Sequence, residues 1–264
     1  MQSSQIDAYL RRIGAERPTA PTATALRTLQ HAHLWTVPFE NLSVHFREEI
    51  VLAEDALVAK VVDARRGGFC YELNGAFGAL LTALGFEVTL LQARVYGDGR
   101  PGIPYDHLTL LVESDDGERW LSDVGFGGLS DRPLAFDDRD DQADPGGTFR
   151  LAEAAGGDLD VLKDGRPAYL LDLRPRALRD FEAGAWYHRT HPASHFTRSL
   201  VCSIPTDDGR ITLSGRTLTT TVGGEKHTTE LADDAEVLAA YAKHFGMRLD
   251  RVPPVPHADE RGPA

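Results

Sequence analysis

The chain has 264 residues, with 28 Lys plus Arg against 40 Asp plus Glu and a formal net charge of −12. At roughly 150 residues per domain this length accommodates about two compact units with a sizeable core, which excludes a mini-protein; a composition 42% hydrophobic and 26% charged excludes wholesale disorder. The acidity argues against nucleic-acid and anionic-membrane partners, since the basic clusters Arg11-Arg12 and Arg65-Arg66 are each a single pair.

The first residues, MQSSQIDAYLRRIG, lack the basic, apolar and cleavage regions of a secretory signal and read as structure. Ile6, Tyr9, Leu10 and Ile13 recur at helical steps before Gly14; Ala25, Leu26, Leu29, His33 and Leu34 do so before Val37-Pro38. Leu57, Val58, Val61 and Val62 predict a third helix, and Tyr71, Leu73, Phe77, Leu80, Leu81 and Leu84, closed by Gly85, a fourth. From Glu87 the period changes to that of strands, with EVTLLQARVY, HLTLLV, RWLSDV, TFRLAE, LDVLKD and AYLLDL separated by Gly and Asp turns. That pattern predicts an antiparallel barrel or sandwich. After about residue 190 come RSLVCSI, RITLS, RTLTTTV and KHTTEL, then a helix capped by Asp233 or Asp234 and ending at Phe245-Gly246. The tail RVPPVPHADERGPA is expected to be poorly ordered. The division is therefore 1–85 for a helical unit, 86–190 for a strand unit and 191–264 for a mixed C-terminal unit. The longest apolar stretches, GALLTALGF and HLTLLV, fall far short of the roughly 20 residues of a bilayer span, so a cytoplasmic protein without a membrane partner is expected.

Chemistry concentrates in Arg65-Arg66-Gly67-Gly68-Phe69-Cys70-Tyr71-Glu72-Leu73-Asn74, where a glycine pair delivers a lone cysteine to the start of the fourth helix. The free N–H groups and dipole there favour the thiolate over a thiol whose ordinary pKa is about 8.5. A helix end alone shifts it by only about one unit, so a formed thiolate needs a cationic partner such as a histidinium. A hairpin offers one. If HLTLLV and RWLSDV pair around Asp115, opposed residue numbers sum to about 230 and His107 faces Asp123, with Cβ atoms roughly 5 Å apart. An odd slip in register would put them on opposite faces. Together the three form a relay in which Asp123 orients His107 and His107 exchanges a proton with Cys70. Cys202, inside a strand, reads as a small buried hydrophobe. The remaining histidines, His31, His33, His45, His188, His191, His195, His227, His244 and His257, read as structural or surface residues. With no CxxC and no HExxH, no metal is expected.

The blocks Val37-Pro38-Phe39-Glu40-Asn41-Leu42, Arg66 to Asn74, Asp106-His107-Leu108, Asp123-Val124-Gly125-Phe126-Gly127 and Ser194-His195-Phe196 together resemble the arylamine N-acetyltransferases of bacterial type. The resemblance implies an α+β fold with a cysteine-protease-like core: an N-terminal helical bundle, a central β-barrel and a C-terminal α/β lid. It implies Cys70, His107 and Asp123 as the catalytic triad, a structural ion pair of Glu40 with Arg66, and an acceptor pocket lined by Phe39, Tyr71 and Phe126. It also implies close approach of a substrate to the backbone at Gly125 and Gly127, the alternative being a simple turn of permissive residues. The activity implied is transfer of acetyl from acetyl-CoA to an arylamine or arylhydrazine, by a ping-pong route through acetyl-cysteine and without a metal. At His191 the family more often has a small hydroxyl residue. Rival readings are an amide synthase of the same family closing a macrolactam from a carrier thioester, a papain-like or transglutaminase-like hydrolase, and a non-catalytic ligand-binding module. The oligomeric state, homo-oligomers included, is left open.

Overall fold

A computed structural model describes residues 1–255, so the end of the expected tail, with His257, lies outside the described residues. Four helices and a short fifth build the first part: α1 (Ser3–Ile13), α2 (Ala23–Leu34), α3 (Leu42–Phe46), α4 (Glu54–Val62) and α5 (Cys70–Ala83), with the two-residue strand β1 (Phe39–Glu40) between α2 and α3. Gly14, at φ 71°, closes α1 as its left-handed C-cap, and Thr22 caps α2 through Ala25 N–H. In α5, 11 of 14 residues are buried, with exposure confined to its C-terminal turns, so this helix runs through the centre of the molecule. It packs closely on both sides. A Cβ on Gly75 would stand 2.6 Å from Leu57 of α4, and one on Gly78 would stand 3.3 Å from Leu110 of the sheet.

Nine antiparallel strands follow: β2 (Glu87–Gly97), β3 (Arg100–Pro101), β4 (His107–Glu113), β5 (Arg119–Ser122), β6 (Leu134–Ala135), β7 (Gln142–Asp144), β8 (Gly147–Glu153), β9 (Leu159–Lys163) and β10 (Arg166–Arg176). Their order is β6-β5-β4-β2-β10-β9-β8-β7, with β3 off this path on β2. The two ends of that path are joined by a side chain: Gln142 of β7 accepts from Ala135 N–H of β6 and donates to the Ala135 carbonyl. The sheet is thus a nearly closed barrel around Leu91, Phe149, Leu151, Val161, Tyr169 and Leu171.

The chain then forms α6 (Glu182–Thr190) and α7 (His195–Arg198), a helical pair that the sequence pattern did not predict, because Gly184 interrupts α6 and α7 is only one turn long. The last layer is β11 (Cys202–Thr206), β12 (Gly209–Ser214), β13 (Thr217–Val222), β14 (Glu225–Glu230) and α8 (Asp234–Phe245), capped by Asp233. β1 pairs with β11, so a strand from the helical part forms the edge of the C-terminal sheet. No helix among the described residues is long and apolar enough to cross a membrane.

Candidate active site

Cys70 opens α5 because the residues before it pass through a space that only glycine fits. A Cβ on Gly67 would stand 1.9 Å from the Pro38 carbonyl oxygen, and one on Gly68 would stand 2.7 Å from the Glu72 side chain. That close passage lets the Gly68 carbonyl accept from Glu40 N–H, at 2.8 Å. Phe69 is the N-cap, and Glu72 reaches back to its N–H at 3.2 Å, which leaves the start of the helix formed and anchored.

The predicted hairpin forms with a different register. Leu110 faces Ser122 and Glu113 faces Arg119, so opposed numbers sum to 232 rather than about 230, and Asp123 lies just beyond the end of β5. The turn is one residue further along, closed by Ser114 N–H to the Glu118 carbonyl. Because the slip is by two in the sum and side chains alternate by two, His107 and Asp123 still share a face. His107 Nε2 and Asp123 Oδ2 are 2.6 Å apart. A carboxylate only accepts, so Nε2 carries a proton and Nδ1 is the ring atom left for Cys70. Burial alone would push the imidazole down, but the charge and hydrogen bond of Asp123, helped by Cys70, raise its pKa to about 10. For Asp123 burial acts upward, and the His107 charge with hydrogen bonds from His107, Asn74 and Gly125 N–H outweighs it, holding the carboxyl below its ordinary range. The Cys70 sulfur, with only 4% of the residue exposed, also stands 4.0 Å from the Asp106 carbonyl oxygen.

Three residues to which the sequence reading gave no role complete this centre. Asn74, one turn after Cys70, donates to Asp123 Oδ1 at 2.9 Å and to the Leu108 carbonyl at 2.6 Å, and accepts from Val124 N–H. Its i, i+4 spacing from Cys70 was the available signal, since that step keeps two residues on one helix face. Tyr169 of β10 lies 5.4 Å from the His107 ring, with its hydroxyl 3.5 Å from Asp123 Oδ2; no local pattern marks it. His188, assigned by default to structure, comes within 2.9 Å of Asp106, next to His107.

The expected pocket residues divide. Phe126 sets its ring edge-on to His107 at 5.2 Å between centroids, and Phe39 and Gly127 line a cleft of about 480 Å³ between the barrel loops and the C-terminal sheet. Gly127 has φ 81° and would press a Cβ against the Phe39 ring at 3.2 Å. Gly125 instead lies under the nucleophile, where a Cβ would stand 2.7 Å from Cys70 Cα. Tyr71 corrects the sequence expectation: its side chain has no exposed surface, and its hydroxyl donates to the carbonyls of Tyr105 and Asp106 at 2.6 and 3.1 Å. It braces the site and does not line the cleft. The lining of the cleft includes the apolar Leu34, Trp35, Val37 and Val124 and the polar Lys163, Ser203, Arg210, Asp131, Asp207 and Asp208.

Behind the helix start, Arg66 Nε donates to Glu40 Oε1 at 2.9 Å, and Lys60 pairs with Glu72 at 2.5 Å. Burial would raise the Glu40 pKa, but Lys60 and Arg66 hold it below the ordinary carboxylate range. Glu72 is raised, because burial and the Glu40 charge outweigh Lys60. His191 stacks on Tyr187 at the surface, His195 opens α7, and His31 contacts Asp131. Among the described residues no group of three His, Cys, Asp or Glu could hold a metal ion.

The family profile described as N-acetyltransferase matches residues 22–253. An arylamine N-acetyltransferase of Mycolicibacterium smegmatis is 37% identical over 252 residues, covering 91% of each chain. The solved arylamine N-acetyltransferase of Salmonella typhimurium superposes with a TM-score of 0.86 at 33% identity, over 98% of this chain and 97% of that one. The Mycobacterium marinum enzyme, solved in complex with CoA, superposes with a TM-score of 0.82 at 33% identity, over 92% of each chain.

Proposed function

The chain belongs to the arylamine N-acetyltransferase family, and on that premise we propose that it moves an acetyl group from acetyl-CoA to an arylamine or arylhydrazine through an acetyl-cysteine on Cys70. The observation that carries this reading is the 2.6 Å contact of His107 with Asp123 at the mouth of the helix that begins with Cys70.

In the first half-reaction His107 Nδ1 takes the thiol proton, favoured by the raised basicity of the ring, and the sulfur attacks the acetyl carbonyl. A C–S bond forms, the C–S bond to CoA breaks, and the imidazolium returns its proton to the CoA sulfur. In the second half the amine nitrogen attacks the thioester, His107 accepts the amine proton, and Cys70 departs as thiolate. Each half passes through an oxyanion. The N–H groups of Cys70 and Tyr71, in a first turn where no carbonyl four residues back lies within the helix, are suited to hold it. Asp123 keeps the ring oriented and stabilises its cationic form throughout.

The mixed lining of the cleft supports a donor that is partly apolar and partly anionic. Arg210 lines it, donates to Ser203 Oγ at 2.7 Å, and has no carboxylate partner among the described residues. A phosphate-bearing donor complements that guanidinium and Lys163. The apolar lining residues and the Phe39 and Phe126 rings suit an aromatic acceptor, and arylamines are neutral nucleophiles at pH 7. Steady-state rates with acetyl-CoA and an arylamine both varied test the route. Parallel double-reciprocal lines support it; intersecting lines mean direct transfer in a ternary complex and contradict it.

A further inference from the structure

A second histidine and carboxylate meet beside the first pair. His188, from α6, sets Nε2 2.9 Å from Asp106 Oδ1, with side-chain exposures of 9% and 15%. The contact is a close approach whose geometry is not that of an in-line hydrogen bond. His188 Nδ1 lies 3.1 Å from Ser194 Oγ, which also lies 3.2 Å from the His188 carbonyl oxygen and accepts from Phe196 N–H. Ser194 has one proton to give, either to Nδ1 or to that carbonyl, so Nδ1 accepts in one arrangement and donates in the other. The other titratable groups facing His188 are the Tyr71 ring of α5, at 6.1 Å, and Tyr187 of its own helix, at 5.4 Å. Among the described residues Asp106 is its only ion-pair partner.

Asp106 is tied on every side. Its Oδ2 accepts from Val95 N–H of β2 at 3.1 Å, and a Cβ on Gly102 would stand 2.3 Å from that oxygen, so only glycine leaves room for it. Its carbonyl accepts from the Tyr71 hydroxyl and faces the Cys70 sulfur. Gly184 lets α6 approach, since a Cβ there would stand 2.5 Å from the Tyr105 carbonyl oxygen. The next residue is His107, whose Cα is about 3.8 Å from that of Asp106 across one peptide, so a displaced Asp106 displaces the catalytic imidazole.

We propose that His188 and Asp106 are positioning residues for acyl transfer. The pair clamps α6 onto the segment that leads into β4, and so sets where His107 and the Asp106 carbonyl stand against the Cys70 sulfur. The role rests on the cysteine chemistry proposed above, yet its test needs no acyl donor. The rate of Cys70 alkylation by iodoacetamide is followed across pH in the full chain, with the modified residue located by mass spectrometry and folding checked by circular dichroism. In His188→Ala and in Asp106→Ala the maximal rate falls about tenfold, as misplacement of a reacting group predicts, and the pH at half-maximal rate moves. The double variant falls no further than either single one, and His188→Gln, whose side-chain amide can offer an N–H to Asp106, recovers part of the rate. Profiles of the two alanine variants that overlay the parent profile, or single effects that multiply in the double variant, overturn the proposal. If the alanine variants do not fold, His188→Gln and Asp106→Asn are read the same way: a smaller loss supports the clamp and unchanged profiles overturn it. A failure of acetylation alongside the expected alkylation pattern counts against the donor assignment alone.

Discussion

Asn74 donates to Asp123 at 2.9 Å, so the helix that presents the nucleophile also holds the carboxylate that orients its base. Both groups are buried, Asn74 at 0% and Asp123 at 2%, so the bond is shielded from bulk solvent. Asn74→Ala leaves Asp123 Oδ1, Val124 N–H and the Leu108 carbonyl short of a partner. The expected outcome is a stability loss of about 1–3 kcal/mol, measured by urea unfolding, together with a fall in kcat/KM of the acylation step. An unchanged kcat/KM in the folded variant would contradict this role.

The His107–Asp123 pair makes stability depend on pH in a defined direction. The histidine is raised in the folded state, so its contribution is complete below the unfolded value of about 6.5 and is lost as pH rises through about 10. The carboxyl is lowered, so its contribution is present above an unfolded value of about 3.9 and is lost as pH falls below it. Asp123→Asn is therefore expected to destabilise most in the window between those two unfolded values, and least at pH 10 and in strong acid. Thermal unfolding of both proteins across pH checks this; a difference that grows toward pH 10 would refute it.

Gly125→Ala introduces a methyl 2.7 Å from both Cys70 Cα and Asn74 Nδ2. Both neighbours are fixed, one by its helix and the other by three hydrogen bonds, so the nucleophile must move. Displacement on that scale predicts about a hundredfold loss of acylation rate. Gly99→Ala, where nothing lies within 4 Å, serves as the control and is expected to retain activity despite its φ of 73°. Equal rates in the two variants would show that Gly125 has no such constraint.

Arg66→Met removes the partner of a fully buried Glu40. Lys60 and the Leu42 N–H then remain as the compensation for that carboxylate, and the loss approaches that of a broken buried pair, about 3–5 kcal/mol, visible as a lower urea midpoint. Adding Glu40→Gln restores much of the loss, since the Leu42 N–H can still donate to the amide oxygen. Additive losses in the double variant would mean the two side chains act independently.

What the sequence disclosed follows from how local each signal is. The longer helices and strands of residues 1–176 were legible because each buried face repeats within its own segment, whereas α3, of five residues, and the two- and three-residue strands β1, β3, β6 and β7 are too short to show a period. Cys70, His107 and Asp123 could be brought together because a glycine pair, a helix start and a hairpin each restrict position over a few residues. Even so, the hairpin register was two off in its sum, and the pair met only because parity was preserved. The helix α6 was missed, because Gly184 breaks its pattern and is required by the approach of the Tyr105 carbonyl, some 80 positions earlier. Tyr71 was misread as a pocket residue for the same reason: its hydroxyl partners lie on a segment more than 30 residues away. Tyr169 and His188 reach the site only through barrel closure and the docking of α6, which no window of sequence contains.

The central claim is that Cys70 carries the acetyl group, and intact mass tests it most directly. The purified chain is mixed with acetyl-CoA without any amine, alongside a Cys70→Ala variant. The account predicts a gain of one acetyl group in the first, none in the second, and loss of the adduct when an arylamine is added. No adduct on a protein whose Cys70 still alkylates rapidly would contradict the acetyl-CoA assignment and favour a carrier-thioester amide synthase.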